Sequence, residues 1–177
     1  AGIDTLDTAY DYEQSENIIG EYLRLNDYKF KIISKLPECN PQEISEIVSS
    51  SLNKLGIERF YGYLIHNFNH FSDIPGCWEE LKSLKAKGTI KKVGFSLYYP
   101  REIDMILNKG LEVDLFQVPY NLFDQRFSHY FPEIKKRGIE LHVRSIFLQG
   151  LLFKEPEQLN DYFNPIREKI LDIRTIS

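Results

Sequence analysis

The most constraining feature of this sequence is a regular alternation of short apolar runs, rich in strand-forming residues, with segments of helical periodicity. Strands are predicted at 3–8, 30–36, 61–68, 92–97, 115–120 and 139–146. Helices are predicted at 15–25, 41–55, 78–87, 100–108, 127–137 and 159–173. Such alternation is typical of a parallel sheet whose strands are joined by crossover helices. We therefore predict one α/β domain over residues 1–177.

Two parallel-sheet architectures fit this order, an open doubly wound sheet and a barrel. An open sheet that binds a dinucleotide normally carries GxGxxG after its first strand, and this sequence has none. Polar residues instead occur at the predicted carboxyl ends of successive strands: Asp7, Lys35, His66, Ser96, Gln117, Asn121 and Ser145. In a (β/α)8 barrel these ends converge on one mouth. The pattern favours a TIM-type barrel.

Length and composition limit the remaining classes. A closed barrel typically needs about 250 residues, so 177 residues predict an incomplete one of about six strand-helix units. The net charge of −4 argues against a nucleic-acid partner. No apolar run reaches the length of about 18 residues that spans a membrane. Cys39 and Cys77 form no CxxC pair, which favours reduced thiols and a cytoplasmic location.

Four polar residues beyond three consecutive strands suggest a proton donor. A tyrosine with a pKa of about 10 is a poor acid at neutral pH, and a neighbouring ammonium lowers that pKa. Tyr12 and Lys35 have these properties, and the Asp7 carboxylate would keep the lysine charged. His66 can donate a hydrogen bond to a substrate oxygen. Together they predict general acid catalysis on an oxygen that gains electron density.

Each of these residues also has a purely structural interpretation. Asp7 can cap a loop, Tyr12 can pack, Lys35 can be a solvated charge and His66 can be a core histidine. Their joint occurrence at successive strand ends favours catalysis. A metal-dependent hydrolase is disfavoured because the four histidines do not occupy successive strand ends.

Several segments resemble the aldo-keto reductase family. The segment 7–16, DTAYDYEQSE, is similar to the family pattern D-T-A-x-x-Y-G-x-S-E. Similar agreement occurs at 51–56 with 63–66, at 78–96, at 117–121 and at 148–152. The resemblance covers nearly the whole chain. It implies an enzyme that reduces small aldehydes or ketones with NADPH and uses no metal.

The resemblance also implies a role for each matching residue. Tyr12 would protonate the carbonyl oxygen, Lys35 and Asp7 would tune that tyrosine, and His66 would orient the substrate. The nicotinamide end of the cofactor would be bound by Ser96, Gln117 and Arg144. Its pyrophosphate would lie near Ser145, Leu148 and Gly150. Aromatic candidates for the substrate pocket are Tyr10, Phe68, Tyr98, Tyr99 and Phe123, whereas Trp78 is expected to pack.

Three residues depart from the family pattern. Glu13 replaces a glycine that takes positive φ freely. Leu97 replaces an asparagine, which removes one contact to the nicotinamide carboxamide. Arg144 stands where the family often has an aromatic ring beneath the nicotinamide, and its planar guanidinium can also stack.

The family pattern also bears on the extent of the chain. Against it, the chain is expected to begin inside the second barrel strand and to end in the seventh helix, so that the first and last units are missing. A non-catalytic member that keeps the fold as a binding or regulatory protein is therefore the alternative to a reductase.

Overall fold

The computed structural model describes residues 2–26, 28–73 and 76–176. It contains one sheet of six parallel strands in the order of the sequence, β1 to β6, as the alternation predicted. The strands are β1 Thr5–Asp7, β2 Lys31–Leu36, β3 Phe60–Ile65, β4 Ile90–Ser96, β5 Leu115–Pro119 and β6 Glu140–Arg144. Each pairs with its neighbours in parallel register, and β1 and β6 are the two edges among the described residues.

Among the described residues, seven α-helices connect or follow the strands. They are α1 Ser15–Leu25, α2 Ile44–Leu55, α3 Phe68–Asp73, α4 Cys77–Ala86, α5 Pro100–Asn108, α6 Phe131–Lys136 and α7 Asn164–Ile176. Helices α1 and α5 have the predicted bounds. The start of α5 follows from its sequence, because Pro100 occupies the first turn and the Glu102 carboxylate accepts the backbone N–H groups of Tyr98 and Tyr99.

Other helices begin or end differently from the prediction. The predicted helices 41–55 and 127–137 each begin with a short 3₁₀ turn, at Pro41–Glu43 and Ser128–Tyr130. The helical stretch 159–173 is predicted with an interruption near its start at Pro165, and in the structure α7 starts at Asn164, with Pro165 in its first turn, and extends to Ile176. Helix α3 and the 3₁₀ segment Leu148–Phe153 were not predicted.

The hydrophobic core has two parts on the two faces of the sheet. The larger part packs the sheet against the helices and contains residues such as Tyr63, Phe95 and Phe116, all with 0% exposure. Trp78 belongs to it and stacks on Phe95 at 4.9 Å between ring centroids, which confirms its predicted packing role. The smaller part is Ile33, Leu64 and Leu115 with Tyr61 beside them.

We call the face that carries Ile33, Leu64 and Leu115 the inner face. Because side chains alternate along a strand, residues two positions beyond these core residues point to the same side. The strands thus direct one set of polar side chains to one end of the inner face: Asp7, Lys35, His66, Ser96, Gln117 and Arg144. This is the end at which all six strands finish.

No helix among the described residues is long and apolar enough to cross a bilayer. Within the same residues, no three His, Cys, Asp or Glu side chains are grouped so that they could hold a metal ion.

Candidate active site

An ion pair between β1 and β2 forms the centre of the polar end. The Lys35 ammonium lies 2.7 Å from a carboxylate oxygen of Asp7 and donates to the carbonyl oxygen of Thr8 at 2.8 Å. The Lys35 side chain is 1% exposed, whereas that of Asp7 is 39% exposed. The other Asp7 oxygen accepts from the side-chain amide of Gln117 at 2.8 Å. Asp7 therefore joins β1, β2 and β5 at the end of the inner face.

Tyr12 lies above this ion pair, in the loop between β1 and α1. The Lys35 nitrogen is 5.0 Å from the centre of its ring, so the ammonium faces the ring in a cation–π contact. The loop is held by the Tyr12 N–H, which donates to the carbonyl of Ala9 at 3.1 Å. Glu13 has a φ of 44°, a conformation that costs a non-glycine residue about 1 kcal/mol. Glu13 thus has a positive φ at the position where the family pattern has glycine.

His66 also contacts the Tyr12 ring. The two rings are arranged edge to face, with 5.8 Å between their centroids. The Nδ1 atom of His66 lies 3.9 Å from a carboxylate oxygen of Asp11. The structure thus brings together the four residues that the sequence predicted as catalytic, around one tyrosine ring.

The protonation equilibria differ from the sequence-based expectation at one point. Burial, together with the negative charge of Asp7, raises the pKa of Tyr12, although Arg144 lowers it. The net shift of the Tyr12 pKa is therefore opposite to the lowering that the sequence predicted. Burial lowers the pKa of Lys35 against the opposing effect of Asp7, and burial and Lys35 lower the pKa of His66. At neutral pH the tyrosine is therefore protonated and the histidine is neutral.

Ser96 is the last residue of β4, Gln117 lies two residues before the end of β5, and the two are paired in register. Both are almost fully buried, with exposures of 1% and 3%. The Gln117 amide nitrogen is taken by Asp7, but its amide oxygen is buried without a hydrogen-bond partner. In water this oxygen would accept a hydrogen bond, so its burial leaves it able to accept one from a bound ligand.

Arg144 ends β6 and crosses to the loop after β4. Its guanidinium stacks on the ring of Tyr98 at 4.3 Å and donates to the carbonyl oxygen of Leu97 at 3.1 Å. Arg144 occupies the position where the family pattern often has an aromatic residue, and its guanidinium lies against an aromatic ring of this chain.

The three remaining predicted cofactor residues lie together beyond β6. Ser145 and Leu148 line a cavity of about 440 Å³ together with Lys154. Four residues here have left-handed backbone conformations, with φ values of 61° at Ser145, 48° at Leu148, 56° at Gln149 and 85° at Gly150. The Asn121 side chain donates to the carbonyl oxygen of Ser145 at 3.3 Å and ties this segment to the loop after β5.

A second cavity, of about 660 Å³, opens beside His66. Phe68, Tyr98 and Tyr99 line it, as predicted for pocket residues. Tyr10 is not among its lining residues and instead contacts the Lys54 ammonium at 4.3 Å. Phe123 is 38% exposed and is also absent from the lining.

Four charged residues at these cavities were missed by sequence reasoning. Asp11, Glu38 and Glu102 line the larger cavity, and Lys154 lines the smaller one. Asp11 and Glu38 follow the ends of β1 and β2 by four and two residues, and proximity to a strand end was the one signal that could have indicated them. Glu102 lies in α5, and Lys154 lies ten residues beyond β6.

The six parallel strands form a curled half-barrel that corresponds to an incomplete (β/α)8 fold, with its polar residues at the carboxyl ends of the strands. The model of the aldo/keto reductase family matches residues 1–172, and the chain belongs to that family.

Individual relatives agree with this assignment. An NADH-specific methylglyoxal reductase of Escherichia coli (strain K12) is 28% identical over an alignment of 178 positions, which covers 85% of this chain and 54% of the relative. The aldo-keto reductase AKR11C1 from Bacillus halodurans (holo form) superposes with a TM-score of 0.74 at 26% identity, over 85% of this chain and 55% of that chain. The glycerol dehydrogenase AKR11B4 from Gluconobacter oxydans has a TM-score of 0.74 at 25% identity, over 90% and 54%. The chain thus spans about half the length of these relatives.

The unequal burial of the central ion pair predicts unequal effects of removing its members. Asp7→Ala leaves a buried ammonium without its counter-ion, which should cost about 2 kcal/mol of unfolding free energy, less than for a fully buried pair because Asp7 reaches water. Lys35→Met leaves a carboxylate that water and Gln117 still satisfy, and should cost about 1 kcal/mol. Urea denaturation of both variants measures this order. A larger loss for Lys35→Met would contradict it.

Proposed function

We propose that the protein reduces an aldehyde or ketone to an alcohol by transfer of a hydride from a reduced nicotinamide dinucleotide, with Tyr12 as the proton donor. The observation that carries this proposal is the partly buried Asp7–Lys35 ion pair beneath the Tyr12 ring, with His66 against the same ring. Membership of the aldo/keto reductase family supports it. The name of the Escherichia coli relative, a methylglyoxal reductase, also supports a small carbonyl substrate.

The residues at the mouth fit a nicotinamide dinucleotide. The unpartnered Gln117 oxygen can accept a hydrogen bond from the carboxamide NH₂ group, and Ser96 lies beside it in register. At the other cavity, Lys154 supplies a positive charge. Ser145 lines the same cavity, and its hydroxyl can donate a hydrogen bond to a phosphate oxygen. When bound, the dinucleotide supplies the hydride that reaches the carbonyl carbon.

The proton is supplied by a side chain of the protein. The Tyr12 hydroxyl, which stays protonated at neutral pH, donates its proton to the carbonyl oxygen as that oxygen gains negative charge. An N–H group of neutral His66 donates a second hydrogen bond to the same oxygen. The positive charge of Lys35 under the ring stabilises the tyrosinate that remains. Tyr12 is 44% exposed, so the tyrosinate recovers a proton from water.

A non-catalytic binding protein is the second candidate. It is favoured by the Leu97 and Arg144 positions, because Leu97 has no side-chain polar group for the carboxamide and the Arg144 guanidinium already stacks on Tyr98. Such a protein would bind the dinucleotide without consuming it.

One experiment separates these candidates. The purified protein is titrated with NADPH, which the family resemblance implies, and with NADH, which the name of the curated relative suggests. Binding is followed by nicotinamide fluorescence, and consumption by absorbance after methylglyoxal is added. We expect binding and aldehyde-dependent oxidation of at least one reduced cofactor. Binding without oxidation would identify a non-catalytic protein, and no binding of either form would refute the proposal.

A further inference from the structure

The cavity beside His66 has the size and walls of a small-molecule site. Its volume of about 660 Å³ lies within the range of about 300–1,000 Å³ that ligand pockets occupy. Three of its walls are aromatic, from Phe68, Tyr98 and Tyr99. Since His66 is part of both this lining and the candidate catalytic group, the cavity lies where the remainder of a bound carbonyl compound would extend.

The charged groups of this cavity are acidic. Asp11, Glu38 and Glu102 contribute carboxylates, and none of its described lining residues is Lys or Arg. Glu102 is already used, because it accepts the N–H groups of Tyr98 and Tyr99. Asp11 and Glu38 are left as the two carboxylates that can interact with a ligand.

Neither of these two carboxylates is neutralised in the described part of the chain. Glu38 accepts a hydrogen bond from the uncharged Asn67 amide at 2.8 Å, and no salt bridge of Asp11 or Glu38 with Lys or Arg occurs. The nearest basic group to Asp11 is His66 at 3.9 Å, and this histidine is neutral at pH 7 because burial and Lys35 lower its pKa.

The two cations near the mouth are held by other groups. Lys35 is enclosed by Asp7 and the carbonyl oxygen of Thr8, at 1% exposure. Arg144 contacts the carbonyl oxygen of Leu97 and the ring of Tyr98, which leave its charge uncompensated. The three carboxylates of the cavity outnumber this one cation, so the cavity keeps a net negative charge, which its recessed shape concentrates.

We infer that Asp11 and Glu38 make this cavity selective for carbonyl compounds that carry a positively charged group, such as an ammonium, and against those that carry a carboxylate. The inference rests on the proposed reductase function in that it takes the bound carbonyl compounds to be substrates. The charge preference itself can be measured without turnover. The aromatic walls hold the body of the ligand, and the two carboxylates face its charged end. Cations also interact favourably with the faces of tyrosine rings.

The test uses three unreactive probes of similar size, benzylammonium, benzyl alcohol and benzoate. Their dissociation constants are measured by NMR titration at low and high ionic strength, with the amide signals of Asn67 and Tyr99 as reporters. We expect benzylammonium to bind about tenfold more tightly than benzoate at low ionic strength, with benzyl alcohol between them. Added salt should reduce this ratio because the carboxylates are partly exposed.

A matched pair of variants tests the assignment to Glu38. Glu38→Gln should lower the ratio of benzoate to benzylammonium dissociation constants by about threefold. Glu112→Gln removes the same charge from an exposed residue before β5, at the opposite end of the sheet, and should leave the ratio unchanged. Benzoate binding as tight as benzylammonium, equal effects of the two variants, or no probe binding at these amides would each overturn the inference.

Failure of the inference and failure of the proposed function give different results. Aldehyde-dependent cofactor oxidation together with equal binding of the charged probes would refute the charge selectivity and leave the proposed function standing. The expected order of probe affinities in a protein that binds no nicotinamide cofactor would refute the reductase proposal and leave the charge selectivity of the cavity standing.

Discussion

Replacing Gly94 with alanine should lower the free energy of unfolding by about 3 kcal/mol or more, because the added methyl group would collide with the backbone of the next strand. Gly94 is paired with Leu115 across β4 and β5. A Cβ atom at Gly94 would lie 1.7 Å from the carbonyl oxygen of Leu115 and 2.7 Å from its carbonyl carbon. A backbone atom cannot turn aside as a side chain can, so the two strands would have to separate.

Gly62→Ala is the matched control for this prediction. Gly62 lies in β3 on the same inner face, and its added Cβ would lie 3.0 Å from the Cδ2 atom of Leu115 and 3.2 Å from the Cγ1 atom of Ile33. These atoms belong to side chains that can shift by a few tenths of an ångström, so we expect a loss of about 1 kcal/mol. Urea denaturation followed by circular dichroism compares the variants. Equal losses would refute the backbone clash, whereas a folded Gly62→Ala beside an unfolded Gly94→Ala would support it.

The close approach at Gly94 also affects the candidate active site. Two residues further along, Ser96 of β4 is paired with Gln117 of β5, and Gln117 donates to Asp7. Separation of β4 from β5 would therefore move the amide that holds the carboxylate of the central ion pair. A glycine in the sheet interior thus contributes to the geometry of the polar residues at the end of the sheet.

The sequence predicted the sheet and the inner-face residues well because both depend on short-range rules. Alternation of apolar and helical segments specifies a parallel sheet, and a period of two assigns Asp7, Lys35 and Ser96 to one face once the strand ends are known. Helix α5 had its predicted bounds because Pro100 and the capping residue Glu102 lie within its first turn.

The sequence could not predict features that depend on how loops fold. The net shift of the Tyr12 pKa is upward, opposite to the lowering that the sequence predicted, because burial and the negative charge of Asp7 raise it. The contact of Arg144 with Tyr98 joins residues 46 positions apart and has no local signal. The carboxylates of the large cavity were missed for the same reason. The charge contacts at the mouth are therefore visible only in the three-dimensional structure.

Replacing Tyr12 with phenylalanine should lower kcat for carbonyl reduction by at least about 100-fold, because the variant keeps the ring but has no proton to donate. The ring contacts with Lys35 and His66 do not involve the hydroxyl group, so the fold and the ion pair below the ring should persist. Dinucleotide binding should also persist, since the residues proposed to hold it lie on β4, β5 and the segment after β6. The expected result is therefore a loss of turnover without a loss of cofactor affinity.

Tyr28→Phe is the matched control, because it removes one hydroxyl from a 63% exposed tyrosine that precedes β2, at the opposite end of the sheet. Steady-state rates and cofactor dissociation constants are measured for both variants and the unmodified protein. Turnover of Tyr12→Phe within about tenfold of the unmodified protein would show that another group supplies the proton. Since neutral His66 retains one ring N–H, it is the group that the double variant Tyr12→Phe, His66→Gln would then examine. A large loss with Tyr12→Phe alone assigns the proton to the tyrosine, whose raised pKa keeps that proton in place until the carbonyl oxygen becomes basic enough to take it.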